Sequence, residues 1–234
     1  MILVEIKGLQ KTTLIDFPGK IACIVFLPNC NFNCGFCFNR QLVKAPEELE
    51  TVSEKGFFDF LEKRKKWLDG VVITGGEPTL QSDLQDFIRK IRALGFLVKL
   101  DTNGSNPSVL EKLLKEKLVD FVAMDIKSSL QNYEKATNCK VDLNRISKSA
   151  ELIMKAAPDY EFRCTVLPKF FSKEDALAVG EWLKGAKKFV LQQFREQADL
   201  IDARFKKENK YSEAELKELA ALLEKFFEKV EVRA

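Results

Sequence analysis

Short apolar runs alternate along the chain with longer segments in which apolar residues recur every three or four positions. The short runs are typical of strands buried on both faces, and the longer segments of amphipathic helices. Strands that alternate with helices indicate β-α-β units and a parallel sheet. The predicted strands lie at residues 21–27, 71–74, 97–101, 121–125, 161–167 and 188–193. The predicted helices lie near 53–68, 82–94, 107–117, 144–157, 172–185 and 212–228.

Six strand–helix units build either a doubly wound sheet or a barrel, complete or partial, and both belong to the α/β class. A short N-terminal hairpin is predicted ahead of them. Its arms are residues 4–6 and 12–15, which flank Gly8, and the Pro-Gly pair at 18–19 forms a turn before the first core strand. Residues 229–233 could add one more strand at an edge of the sheet.

No linker or low-complexity segment interrupts the chain. We therefore predict a single domain over residues 1–234. Its parts are the hairpin at 1–19, the barrel core at 20–195, and a C-terminal helix and edge strand at 196–234.

The composition excludes several kinds of function. With 38 Lys and Arg against 35 Asp and Glu, the net charge is +3 and the two signs are mixed, so nothing indicates a nucleic-acid partner. No apolar run reaches the ~18 residues of a membrane span and no signal peptide is evident, so we expect a cytoplasmic protein without a membrane partner. The absence of histidine excludes Ser-His and Cys-His nucleophiles.

Residues 28–39, PNCNFNCGFCFN, hold Cys30, Cys34 and Cys37 at C-x3-C-x2-C spacing, directly after the first predicted core strand. Structural zinc normally takes four ligands, and a disulfide is disfavoured in the cytosol and would leave one thiol over. A cubane [4Fe–4S] cluster normally takes four thiolates, so three leave one iron open to a substrate with N and O donors. We interpret the loop as the site of such a cluster, with zinc, a disulfide and inert burial as the alternatives.

The other three cysteines, Cys23, Cys139 and Cys164, are far from this loop in sequence and share no ligand spacing. Free cysteines are often simply buried small hydrophobic residues, which is the role predicted here. A second cluster is not expected.

Polar motifs also end or follow the next three predicted strands. The first is Gly-Gly-Glu-Pro at 75–78, where paired glycines let the backbone approach a ligand and Glu77 could accept from an ammonium group. The others are residues 101–103 and 125–127. Because the carboxyl ends of parallel barrel strands carry the active site, we expect all three motifs to meet the cysteine loop at one rim. The structural alternatives are a plain turn at 75–78, helix capping by Asp101 and Thr102, and a solvated Lys127.

A C-x3-C-x2-C loop after the first core strand and Gly-Gly-Glu-Pro after the second resemble the radical S-adenosylmethionine superfamily. Within it, the chain most resembles glycyl-radical activating enzymes. Residues 11–22, 190–195 and 211–212 are similar to the anaerobic ribonucleoside-triphosphate reductase activating protein family. The resemblance covers nearly the whole chain.

This resemblance implies a partial (β/α)6 barrel with parallel strands. It implies that Cys30, Cys34 and Cys37 hold a [4Fe–4S] cluster whose open iron is chelated by the amino and carboxylate groups of S-adenosylmethionine. Related activators often carry histidine where this chain has Phe38. The resemblance also implies further contacts with S-adenosylmethionine. Glu77 and the backbone of Gly75 and Gly76 would meet its amino group, Phe36 and Asn39 its adenine, and Thr102 and Lys127 would lie near its ribose and carboxylate. Asp101 and Asp125 could also hold a monovalent cation.

The implied reaction needs no general base, which agrees with the absence of histidine. The reduced cluster cleaves S-adenosylmethionine, and the 5′-deoxyadenosyl radical abstracts hydrogen from a glycine of a partner enzyme. Anaerobic ribonucleoside-triphosphate reductase is the expected partner, with flavodoxin or ferredoxin as an electron donor. The alternatives are a pyruvate formate-lyase-type activase, a radical enzyme acting on a small molecule or peptide, and a zinc module without catalysis.

Overall fold

The computed structural model describes residues 4–196 and 199–233 of the chain. Eight strands form one sheet, and their spatial order follows the sequence, with β1 and β8 at the two edges of an open sheet. β1 is antiparallel to β2, and each later pair of neighbours is parallel. The predicted α/β class and parallel partial barrel are thus confirmed. The strands are β1 Gly8–Thr13, β2 Ala22–Leu27, β3 Gly70–Gly75, β4 Leu97–Thr102, β5 Phe121–Asp125, β6 Tyr160–Val166, β7 Lys188–Gln193 and β8 Lys229–Arg233.

The helices connect these strands and cover one face of the sheet. They are α1 Arg40–Lys44, α2 Glu54–Arg64, α3 Leu84–Ala93, α4 Pro107–Lys115, α5 Tyr133–Thr137, α6 Leu143–Ala156, α7 Lys173–Trp182 and α8 Glu213–Leu223. Short 3-10 helices lie at Pro46–Glu48, Pro78–Leu80 and Ala203–Lys207. The predicted helices are present; α6 keeps its predicted length with a shift of one residue, and the other five are shorter than predicted. The single-turn α1 and α5 were not predicted because one turn shows no amphipathic period. Within the described ranges, none of the helices is long and apolar enough to cross a bilayer.

Serine caps explain where several helices begin. Ser172 and Ser212 each accept a hydrogen bond from the third helical residue, whose carboxylate accepts from the serine backbone in return. This capping box satisfies two amide groups that have no partner within the helix. Ser53 caps α2 in the simpler way, through its side chain alone.

The two faces of the sheet are chemically different. Strand residues such as Val71, Val98 and Phe162 belong to a large apolar core with the helices. The opposite, concave face has a small apolar cluster built on Phe17, Ile24, Val72, Phe121 and Ala123. Because side chains alternate between faces along a strand, the charged residues at 99, 101, 161 and 163 share this concave face with the small cluster.

An N-terminal hairpin is present, but its predicted arms were wrong. Gly8 begins β1 instead of turning the chain, and Gly8–Thr13 pairs antiparallel with Ala22–Phe26 of β2. Ile6 forms a separate bridge with Val52. The edge strand predicted at the C-terminus is confirmed as β8, parallel to β7. The single-domain division stays a prediction.

Candidate functional site

The cysteine loop lies at the carboxyl end of β2, between that strand and α1. Asn29 opens the loop with a left-handed φ of 67°, a conformation that asparagine tolerates better than most residues. Its amide donates to Leu42 O at 2.8 Å. A turn then joins Cys37 N to Cys34 O, and Asn33 N donates to the carbonyl of Thr137, the last residue of α5. Local backbone bonds thus hold the three predicted ligands, Cys30, Cys34 and Cys37, in one short loop.

Burial dominates the electrostatics of these thiols. It raises the pKa of Cys30 to about 11 and that of Cys34 to about 12, and it also raises the pKa of Cys37. The three sulfur atoms repel one another as thiolates, while the ammonium of Lys127 favours the ionised form of each. Cation binding would therefore have to displace protons from all three.

The donor set fits an iron–sulfur cluster in its chemistry, since three cysteines share one loop and a lysine stands by to offset thiolate charge. In the described part of the chain, no three His, Cys, Asp or Glu side chains are already gathered in a metal-binding arrangement.

The paired glycines of the second motif serve the cysteine loop. A Cβ on Gly76 would stand 1.9 Å from Asn29 O, and a Cβ on Gly75 would stand 2.2 Å from Leu27 O. The close approach allows Gly76 N to donate to Leu27 O at 2.9 Å, and Glu77 N to Asn29 O at 2.7 Å. The glycines were expected to admit a ligand; in the structure, the group that fills the space is the backbone before Cys30.

The carboxylate of Glu77 is completely buried and faces protein donors. Oε1 accepts from the backbone and hydroxyl of Thr79 and, at 2.7 Å, from the hydroxyl of Thr102. Oε2 accepts from Asn103 N at 2.6 Å. Burial raises the pKa of this carboxyl, and the same hydrogen bonds act to lower it. In the structure Glu77 thus joins the ends of β3 and β4, and its contact with the amino group of S-adenosylmethionine stays a prediction.

Thr102 takes part in the same connection between β3 and β4, because its hydroxyl donates to Glu77 and accepts from Gly104 N. The next residue, Asn103, reaches the cysteine loop. Its Nδ2 lies 2.9 Å from Asn31 Oδ1 and 3.8 Å from Cys30 Sγ. Sequence reasoning placed Asn103 at the rim but gave it no role, because its partners are more than 70 residues away.

Alternating charges line the concave face beside the loop. Lys99 pairs with Asp101, and Arg163 bridges Asp101 and Asp125, with 2.8 Å to the latter. Asp125 also meets Lys127 at 3.2 Å. Although burial opposes ionisation of Asp125, Arg163 and Lys127 bring its pKa down to about 2. The Lys127 side chain is largely buried, so the solvated alternative is wrong.

Arg163 was missed, although a charged residue within the apolar run 161–167 was a usable signal. Its guanidinium already neutralises Asp101 and Asp125, where a monovalent cation was expected. The cation stays a prediction, and it would have to compete with Arg163 for these carboxylates.

The side chains of the two residues expected to contact adenine already contact other protein groups. Phe36 is buried against Phe170 and Phe205, with ring centroids 5.9 and 6.2 Å away. Asn39 donates from Nδ2 to Gly75 O at 2.9 Å, which adds another bond between the cysteine loop and β3. Phe38, by contrast, is 61% exposed. Adenine contacts from Phe36 and Asn39 stay predictions.

The remaining cysteines differ from one another. Cys23 in β2 and Cys164 in β6 are buried, as predicted for small hydrophobic residues. Cys139 is only partly buried and lies against the cysteine loop, where its Sγ is 3.8 Å from Asn31 O. The full burial predicted for Cys139 is therefore wrong, and its contact with the loop joins residues that are 108 positions apart in the sequence.

Residues 24–182 match the Radical SAM superfamily. This match spans more than half of the chain and runs from within β2 to the end of α7, including the cysteine loop and the motifs at the ends of β3, β4 and β5. The chain belongs to the radical S-adenosylmethionine superfamily and is a radical S-adenosylmethionine enzyme. The predicted cofactors, a [4Fe–4S] cluster and S-adenosylmethionine, are those of this family.

The sequence is also similar to proteins that are named as activating enzymes. A Methanocaldococcus jannaschii protein, named by inference as a glycyl-radical enzyme activating enzyme, is 36% identical over 97% of this chain and 95% of its own length. The pyruvate formate-lyase-activating enzyme of Listeria monocytogenes is 32% identical over 54% of each chain.

Among solved structures, Streptococcus suis SuiB bound to S-adenosylmethionine matches with a TM-score of 0.67 and 18% identity. The match covers 90% of this chain and 52% of SuiB, so the chain spans about half of that protein. At this identity the likeness shows the fold alone.

Proposed function

We propose that this chain is an activating enzyme for a glycyl-radical enzyme, with anaerobic ribonucleoside-triphosphate reductase as the partner. Similarity over almost the full length of the M. jannaschii relative supports the activating class. The reductase rests on the resemblance of residues 11–22, 190–195 and 211–212 to its activating proteins. Bound cluster and S-adenosylmethionine would together supply the radical that takes hydrogen from a glycine of the partner.

One observation carries the proposal: three cysteines share a loop that is bonded to the carboxyl ends of two neighbouring strands. Gly76, Glu77 and Asn39 connect the loop to β3, and Asn103 connects it to β4. We assign Cys30, Cys34 and Cys37 as the cluster ligands. Attachment at several points holds the loop with the three cysteines at the carboxyl edge of the sheet, which supports this assignment.

The charged side chains nearby would orient the cofactor. The ammonium of Lys127 acts electrostatically on all three thiols, and it would meet the carboxylate of the cofactor together with the guanidinium of Arg163. The proposed contacts for the amino group remain Glu77 and the backbone of Gly75 and Gly76, and those for adenine remain Phe36 and Asn39. Each of these groups would have to exchange a protein partner for the cofactor. Thiol ligands need a reducing compartment, so the cytoplasmic location belongs to the same proposal.

A pyruvate formate-lyase-type activase is the second candidate, favoured by the match to the Listeria enzyme over about half of the chain. The two candidates share the chemistry and differ in the protein that supplies the glycine. Both therefore predict the same cluster and the same cleavage of S-adenosylmethionine, and only the partner distinguishes them.

The test is anaerobic reconstitution followed by mixing with S-adenosylmethionine, a reductant and either candidate partner. We expect about four irons per chain, the number in one cubane, a glycyl-radical doublet in electron paramagnetic resonance with the reductase, and 5′-deoxyadenosine in proportion. Cys34→Ser should remove the iron, while Cys23→Ser, a change at another buried cysteine, should retain it. A doublet with the formate-lyase alone would replace the reductase, and turnover of a small metabolite without either partner would refute the activating role.

A further inference from the structure

The side-chain amide of Asn103 stands beside a proposed cluster ligand. Asn103 is 5% exposed and follows the last residue of β4. Its Nδ2 carries two N–H groups, and two acceptors are within reach: Asn31 Oδ1 at 2.9 Å and Cys30 Sγ at 3.8 Å. Sulfur is larger than oxygen, so the longer distance still fits a hydrogen bond. Cys30 Sγ also accepts from Phe32 N at 3.4 Å.

The orientation of this amide is determined by its surroundings. Asn103 Oδ1 accepts from Ser105 N at 2.9 Å, and Asn103 N donates to Glu77 Oε2 at 2.6 Å. Turning the amide over would place its NH2 against the Ser105 N–H and its oxygen against the sulfur. Both contacts would be unfavourable, so the N–H groups are held toward Cys30.

The charge of the cluster makes this donor relevant to its reduction. A cluster gains negative charge when it is reduced, and part of that charge lies on the ligand sulfur atoms. A fixed N–H donor at a sulfur atom therefore stabilises the reduced form more than the oxidised form and raises the reduction potential. Because the donor is buried and already oriented, it acts without reorganisation when the electron arrives.

We infer that Asn103 is a positioning residue that sets the reduction potential of the cluster through its hydrogen bond to Cys30 Sγ. The inference rests on the proposed function, because it requires Cys30 to be a cluster ligand. It also explains the buried carboxylate of Glu77. Glu77 accepts a hydrogen bond from the backbone of Asn103 and so fixes the position from which the Asn103 side chain donates to Cys30 Sγ.

The test is a redox titration of the reconstituted protein, read by electron paramagnetic resonance of the reduced cluster, with iron content measured on the same samples. Asn103→Ala should lower the midpoint potential of the cluster. At a fixed applied potential, the ratio of reduced to oxidised cluster should fall about tenfold, which corresponds to ~59 mV for one electron. Asn103→Asp, which keeps the shape and the acceptor for Ser105 but replaces the donor with an anion, should lower it further.

Asn106→Ala is the matched control. Asn106 lies on the same loop and its Nδ2 donates to Thr79 O, away from the thiols, so its loss should leave the midpoint unchanged. An unchanged midpoint in both Asn103 variants at full iron content would overturn the inference. So would loss of iron from both variants while Asn106→Ala retains it, because Asn103 would then serve only to hold the loop. Absence of iron from the unmodified protein would instead refute the proposed function.

Discussion

Replacing Gly76 with alanine tests the contact that joins the cysteine loop to the sheet. The new Cβ would stand 1.9 Å from Asn29 O and 2.5 Å from Asn29 C, and both are backbone atoms that cannot rotate away. Relief requires the two loops to separate by about 1 Å, given that van der Waals contact needs roughly 3 Å or more. Overpacking of this kind costs about 1–3 kcal/mol. Separation also weakens the bonds from Gly76 N to Leu27 O and from Glu77 N to Asn29 O, about 1 kcal/mol each.

We therefore expect Gly76→Ala to lower the free energy of unfolding by about 3–5 kcal/mol, a large share of the about 5–15 kcal/mol typical of a domain. Gly95→Ala is the control, since Gly95 has φ +90° and no atom within 4 Å of an added Cβ. Its cost should be only the about 1–2 kcal/mol of left-handed strain.

Urea denaturation of the cluster-free proteins, analysed for midpoint and slope, measures both losses. A Gly76→Ala midpoint at or above that of Gly95→Ala would refute the steric reasoning. The same variant should also retain less iron after reconstitution, because the displaced backbone carries the first proposed ligand.

Three further predictions follow from individual contacts. Arg163→Met should destabilise the protein by about 1.5–3 kcal/mol in urea denaturation, because Asp101 and Asp125 would lose their shared guanidinium and keep only Lys99 and Lys127; a loss below about 0.5 kcal/mol would contradict the pairing. Cys139→Ser should leave iron content unchanged although Cys139 lies against the loop, and lower iron would make it a ligand. Burial alone would raise the pKa of Glu231, but bonds from Lys188 and Arg233 bring it from its usual 4.5 to about 2. The stabilisation that ionised Glu231 gives the folded state is thus fully present above pH 4.5 and is lost as the pH falls toward 2. The free energy of unfolding should therefore exceed that of Glu231→Gln by less at pH 3 than at pH 6. An equal difference at both pH values would count against the ion pairs.

The order of strands and helices could be predicted because it depends on local pattern. Each core strand was an apolar run bounded by turn residues, and each long helix repeated its apolar residues at helical spacing. The cysteine loop could also be predicted, since its ligands lie within eight residues and their spacing alone limits what they can bind. The N-terminal hairpin was misplaced because the partner of Gly8–Thr13 is β2, and antiparallel pairing does not follow from the composition of either strand.

The roles of single side chains at the rim could not be predicted in the same way. Glu77 looked like a ligand contact in the sequence, and the structure adds protein donors that the sequence did not indicate. Its carboxylate accepts from Thr102 and Asn103, which are 25 and 26 residues away, because the register of β3 and β4 places them there. Arg163 meets Asp101 across 62 residues for the same reason. The sequence by itself determined which chemical groups reach the rim. Only the tertiary structure decided which of them face each other, because that depends on strand register and on where buried polar atoms find partners.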